Sequence, residues 1–141
     1  MIPKFRAWYT PFKGKTIGQE MKYGKAGRLI THAEMAPDKY VLMQSTGLKD
    51  KNGVEIFEGD IALITHKSTN YADTYWHSYV EVFRAENGAY RIRGEHIYET
   101  ELYSNRKQLT VAGNIYNSPE LLKRDRFMTT TENPDLLEEQ R

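Results

Sequence analysis

Four carboxylates crowd the middle of the chain: Asp50, Glu55, Glu58 and Asp60. Carboxylates that converge can hold a hard cation, and a pair in unlike environments can share acid and base work. The run Asp50-Lys51-Asn52-Gly53-Val54-Glu55-Ile56-Phe57-Glu58-Gly59-Asp60 does not have the alternating oxygen ligands and distal glutamate of a calcium loop. Acidic residues beside Asn-Gly and Gly-Asp steps serve turns routinely, and turns are the reading taken here. An enzyme built on Glu58, Asp60 and one histidine ranks last of three hypotheses. The four histidines, His32, His66, His77 and His96, have no metal-ligand spacing. A zinc site needs three or four converging ligands, so no metal is assigned. His66 and His77 flank a polar segment and meet only if the chain doubles back. With no cysteine, disulfides, thiol catalysis and cysteine-ligated zinc are excluded. Phosphate-cradling, nucleophile-elbow and zinc-protease motifs are also missing from the sequence, so no catalytic residue and no cofactor is assigned.

The elements that would position these side chains are mostly strands and turns. Asn52-Gly53 predicts a tight reversal between Leu48 and Val54. Gly47 and Gly59 mark two more positions where a Cβ would be strained, and Asp60 can accept backbone N–H groups as the chain enters Ile61. Strands are expected at Lys4–Tyr9, Met21–Tyr23, Arg28–His32, Tyr40–Ser45, Ile61–His66, Tyr75–Arg84 and Gln108–Tyr116. The unbroken apolar run Ile61–Ile64 implies burial on both faces. Ser68–Thr74 is polar and aperiodic, which makes it the candidate binding loop. If Asn87-Gly88 is a two-residue turn, Phe83 faces Ile92, Ala85 faces Tyr90, Val82 faces Arg93, and Arg84 faces Arg91. Opposed arginines repel, so that register calls for Glu81, Glu86 or an anionic partner nearby.

The stretch from Thr46 to Ile61, TGLKDKNGVEIFEGDI, resembles the signature of the YopX family of phage and prophage proteins. Its motif positions here are Thr46, Gly47, Leu48, Asp50, Asn52, Gly53, Glu58, Gly59 and Asp60, read as structural turns. Lys4-Phe5-Arg6-Ala7-Trp8 is similar to the family's opening, and Gly113-Asn114-Ile115-Tyr116-Asn117-Ser118-Pro119-Glu120-Leu121-Leu122 to its close. Tyr9 departs from the pattern, where an aspartate is expected. The resemblance spans residues 1–123 and implies a mostly β fold and a phage association. It brings no catalytic residues and no assigned molecular role.

Composition fits one domain with a tail. The chain has 141 residues, a mean hydropathy of −0.72 and a net charge of +1. No apolar run approaches the roughly 20 residues of a membrane helix, so a soluble, cytoplasmic protein with no membrane partner is expected. The ten tyrosines suit half-buried strands and interfaces. Ser118-Pro119-Glu120 and Asn133-Pro134-Asp135 each open a short capped helix, the second over residues 133–140 in a tail at 124–141. Leu136 and Leu137 would then be candidate oligomer contacts.

The fold expected is therefore all-β or β-dominated, with minor α+β character. A small, strongly bent sheet closes over residues 40–116 like a partly open SH3-like barrel, and short C-terminal helices follow. The preferred function is a non-enzymatic phage or prophage protein that forms homo-oligomers and contacts an unknown host or phage protein. The alternative is nucleic-acid binding through Trp76, Tyr79, Arg84, Arg91 and Arg93, aromatic and basic residues interleaved on neighbouring strands.

Overall fold

Turn chemistry dominates this chain, and two of its hairpins share one solution. The computed structural model describes residues 4–12, 14–24 and 26–133. In it Gly53 (φ 82°) and Gly88 (φ 87°) take left-handed backbone, while the asparagine before each does not. At the first, Asp50 N donates to Val54 O (2.8 Å) and Gly53 N to Asp50 O (3.1 Å). At the second, Ala85 N donates to Ala89 O and Gly88 N to Ala85 O, both at 2.8 Å. Each is a three-residue loop, a right-handed turn closed by a left-handed glycine. Gly47 and Gly59 also have positive φ, as expected.

The chain is mostly β, with two sheets, one curled into a half-barrel, and a few short helices. It divides into two compact units. The first runs to Leu48 and takes in Glu55–Glu58; the second has Lys49–Val54 and everything from Gly59 onward.

In the first unit, β1 (Phe5–Tyr9) lies between β2 (Glu20–Gly24) and β3 (Tyr40–Lys49), with β4 (Glu55–Phe57) beyond β3. The β1–β2 and β1–β3 pairs are antiparallel. Ala7, Met43, Ile56 and Phe57 are buried, together with Leu29 of helix α1 (Ala26–Met35). Arg6 is buried as well; its Nη2 donates to Glu58 O at 3.2 Å, and its guanidinium lies 4.7 Å from the Phe57 ring centre.

The second unit is organised on β5 (Asp60–Lys67), whose residues Asp60–Thr65 are all buried. Burial on both faces explains the unbroken apolar run. Strand β5 pairs antiparallel with β6 (Tyr75–Arg84) on one side and β9 (Leu109–Asn114) on the other. Strand β6 is ten residues long, and two strands share its outer flank. β7 (Tyr90–Gly94) pairs with Glu81–Arg84, and β10 (Phe127–Thr129) with Tyr75–His77. β8 (Ile97–Glu101) closes the row beside β7 as an edge strand. Helix α2 (Leu102–Asn105) follows it and buries Leu102.

Several expectations need correction. The chain over residues 40–116 does not form one bent sheet, because β3 joins β1 rather than β5. Arg28–His32 lies within α1 rather than a strand, and Thr31 Oγ1 donates back to Gly27 O at 2.8 Å. The three-residue loop at Ala85–Ala89 moves the β6–β7 register by one. Val82 faces Ile92, Phe83 faces Arg91, and Arg84 faces Tyr90, so no two arginines are opposed. Pro119–Lys123 is a 3₁₀ helix that Ser118 does not cap, since the Ser118 hydroxyl donates to Asn117 Oδ1 (2.9 Å) instead. The start of the tail supplies β10, where no strand was expected. The helix proposed for 133–140, with Leu136 and Leu137, lies outside the described residues except for Asn133.

Candidate functional site

Asp50 is a buried carboxylate with three backbone partners. Its Oδ1 accepts N–H bonds from Asn52 (2.8 Å) and Val54 (2.9 Å), and its Oδ2 accepts one from Val111 (2.9 Å). Val111 sits where β9 slips register against Ile61 and Ala62, and β9 is the last strand of its sheet, so the carboxylate gives an edge-strand donor its acceptor. Lys51 N donates to Leu109 O (3.0 Å), tying the same turn to the start of β9. The other motif residues also meet backbone. Thr46 Oγ1 donates to Ile56 O (2.7 Å) and accepts from Leu48 N (3.2 Å). Glu58 Oε1 accepts from Gln44 N (3.3 Å). Gly59 donates to Val82 O (2.8 Å) and accepts from Ile115 N (2.9 Å). Asp60 is buried opposite Asn114.

The carboxylate–histidine constellation does not assemble along β5. Asp60 and His66 stand at opposite ends of that strand, roughly 20 Å apart at strand rise. His77 pairs with Thr65, at the His66 end and on the opposite face. Among the described residues no group of three or more His, Asp or Glu side chains is placed to hold a metal ion.

The proposed nucleic-acid residues are divided by strand alternation. On β6, Trp76 and Arg84 point to the face of Val80 and Val82, and Tyr79 to the other. Arg91 and Arg93 fall on the Tyr79 side, opposite Phe83 and Glu81. Both are engaged there: Arg91 Nε bonds Glu99 Oε2 (3.1 Å), and Arg93 Nε bonds Glu81 Oε1 (3.2 Å) while lying 4.0 Å from the Phe83 ring centre. Arg124 and Arg126 cover Tyr79 (5.9 Å) and Trp76 (4.3 Å). The expected acidic neighbour, Glu81, is present, but it answers Arg93 rather than a repelling pair.

One buried polar constellation was not visible in the sequence. His77 is fully buried between two hydroxyls, with Thr65 Oγ1 2.8 Å from Nδ1 and Thr129 Oγ1 2.7 Å from Nε2. The Thr129 hydroxyl proton is committed to Thr131 O (2.7 Å), so its oxygen must accept from the imidazole. That assigns the Nε2–H tautomer, with Nδ1 accepting from Thr65. Phe127 stacks on the ring at 5.0 Å. Burial, and then the charge of Lys51, hold His77 below the ordinary histidine value; the Thr131 carbonyl works weakly the other way.

Beside Thr65 a cavity of about 260 Å³ opens, lined by Lys51, Lys67, Tyr75, Lys107, Gln108 and Glu132. Lys51 is placed by the Asp50 turn, and its Nζ donates to Glu132 O (3.1 Å). Lys67 ends β5 opposite Tyr75, and Lys107 and Gln108 come from the 3₁₀ turn before β9. The Glu132 carboxylate faces the Tyr75 hydroxyl, whose pKa is raised by burial first and then by Glu132 and Asp73. The Ser68–Thr74 loop lies between these strands and is closed by Ser68 N donating to Thr74 O (2.8 Å). The three lysines come from a turn, a strand end and a helical turn, so no local spacing could have announced them.

No curated protein matches the chain. Among solved structures it is similar to the crystal structure of protein EF1440 from Enterococcus faecalis, with 31% identity, 86% of this chain and 99% of that one covered, and a TM-score of 0.49. The family model described as "YopX protein" matches residues 4–123. That span contains the Asp50 turn, the Gly59–Asp60 entry to β5 and the Asn114 bend, and the chain belongs to the YopX family.

Proposed function

We propose that this chain is a non-enzymatic phage or prophage protein that acts by protein contact in the bacterial cytoplasm and assembles with copies of itself. The observation that carries the reading is Tyr98. It stands 95% exposed on β8, the edge strand of its sheet, and Tyr103 just beyond is 60% exposed. An edge strand offers unpaired backbone groups to another chain. Tyrosine adds contact area at small entropic cost, which is why it is enriched where proteins meet. No helix among the described residues is long and apolar enough to cross a membrane. Native mass spectrometry across a concentration series tests the reading. A discrete multimer that shifts toward monomer in Tyr98→Ala/Tyr103→Ala supports it; a wild-type monomer at every concentration refutes self-assembly.

The second reading is a nucleic-acid-binding module of phage replication or regulation. An arginine laid over an aromatic ring on each face of β6, Arg124 on Tyr79 and Arg126 on Trp76, favours it, because arginine–aromatic stacks engage single strands. It requires salt-sensitive binding that weakens when Arg84, Arg91 and Arg93 become alanine. Binding indifferent to those changes removes these three arginines from consideration.

A further inference from the structure

The cavity beside Thr65 has an unbalanced charge. Three lysines, Lys51, Lys67 and Lys107, line it against a single acidic residue, Glu132. Asp73 acts on Tyr75 but does not line the space. Two positive charges are left over, the complement of a dianion. Gathering like charges around one hollow costs free energy unless something anionic offsets it. Glu132 offsets part of it, from a segment held in place by the Lys51 bond to its carbonyl.

The donors have the chemistry of a phosphate site. Lysine binds phosphoryl oxygens as a point charge, and Tyr75 and Gln108 add directional donors. Thr65 is not among them, because its proton is committed to His77. The volume of about 260 Å³ is small beside a typical ligand pocket of roughly 300–1,000 Å³. It suits one phosphoryl group with its hydrating water, the remainder of the ligand staying outside.

We infer that this pocket binds a phosphate monoester dianion, and that the Glu132 carboxylate is a built-in competitor holding its place against Tyr75. Opposite mutational effects follow. Removing a lysine weakens binding, whereas neutralising Glu132 strengthens it. A purely structural role for these exposed and half-buried side chains would not produce opposite signs.

The test is a titration of the full-length protein with inorganic phosphate at constant ionic strength and neutral pH. It is followed by backbone amide shifts at Lys67, Tyr75 and Gln108, with chloride as the control. The expected result is a saturable, phosphate-specific response. Lys67→Ala and Lys107→Ala should each weaken it by about two- to fivefold, and Glu132→Gln should tighten it by a similar factor. Circular dichroism of each variant confirms folding. No saturable response, or the same affinity in all variants, overturns the proposal. A short oligonucleotide with and without a 5′-phosphate, and a sugar phosphate, then identify the source. Preference for the 5′-phosphorylated strand points to a nucleic-acid end, and preference for the sugar phosphate to a small metabolite. Equal binding of both oligonucleotides with no response to sugar phosphate overturns monoester recognition.

Discussion

The Asp50 carboxylate accepts the amide proton of Val111 at 2.9 Å, across 61 residues of chain, while its other oxygen closes its own turn. One side chain therefore joins a hairpin loop to the irregular part of β9. Asp50→Ala strands three backbone donors, two of them in the turn itself. A loss of about 1–2 kcal/mol is expected, because three bonds to a charged acceptor are lost but Asn52 and Val54 are exposed and water can take up their donors. Asp50→Asn keeps an acceptor oxygen and should lose less. Urea unfolding of both variants checks this, and equal midpoints for Asp50→Ala and wild type would refute the assigned role.

Acid should destabilise the protein through its imidazoles. His77 is held low by burial and by Lys51, and His66 by burial alone. In both, the unfolded chain takes up protons that the folded chain resists. Stability is full above the ordinary histidine value of about 6.5, falls as pH drops from there toward the lowered folded values, and then levels off as far as these groups are concerned. The urea midpoint measured at neutral and mildly acidic pH reads this out. His77→Gln should start less stable and show a shallower pH dependence. A midpoint flat across that window would contradict the neutral, buried imidazole.

Glycines at different sites should respond differently to a methyl group. A Cβ on Gly94 would lie 2.7 Å from Tyr79 O and 3.3 Å from Val80 Cγ1, so Gly94→Ala pushes β7 off β6. A loss of about 1–3 kcal/mol is expected from overpacking. Gly53 has open space around it, and only its φ of 82° opposes a side chain. Gly53→Ala should cost about 1 kcal/mol, and Gly53→Asn less, since asparagine tolerates left-handed backbone. Thermal melts of the three variants should rank them in that order.

Cutting the chain at Lys123, where the family match ends, removes β10 and with it the Phe127 stack and the Thr129 partner of His77. Unfolding should become easier by about 3 kcal/mol, the order expected for losing a buried aromatic contact and leaving a buried polar group unpaired. A chain cut after Asn133 keeps β10 and is the reference for that loss. If the two truncations melt alike, β10 contributes nothing.

What the sequence revealed follows from which interactions are local. Gly47, Gly53 and Gly59 were readable because positive φ is a property of one residue. The double burial of Ile61–Ile64 was readable because an unbroken apolar run needs cover on both faces. The β6–β7 register was not, because Asn87-Gly88 suits both a two-residue and a three-residue loop. Helix α1 was hidden by Gly24 before it and Gly27 in its first turn, and by an apolar pattern in which, among the described side chains, Leu29 alone is buried. At three residues, Phe127–Thr129 is too short to show a period. The lysine pocket depends on positions brought together by the sheet, and nothing in their spacing records that.

The divided flank of β6 has a consequence for the order in which the fold opens. β7 is tied to Glu81–Arg84 by a three-residue loop, whereas β10 reaches Tyr75–His77 only after the chain has passed through β7, β8 and β9. Closing a long loop costs more entropy, and β10 has only three residues of pairing to offset it. Native-state hydrogen exchange should therefore show two tiers within one strand. Amides bonded across to β10 should exchange through a local opening, and those bonded across to β7 only through wider unfolding. The same strand would act as a latch at one end and as core at the other, with His77 on the latch side.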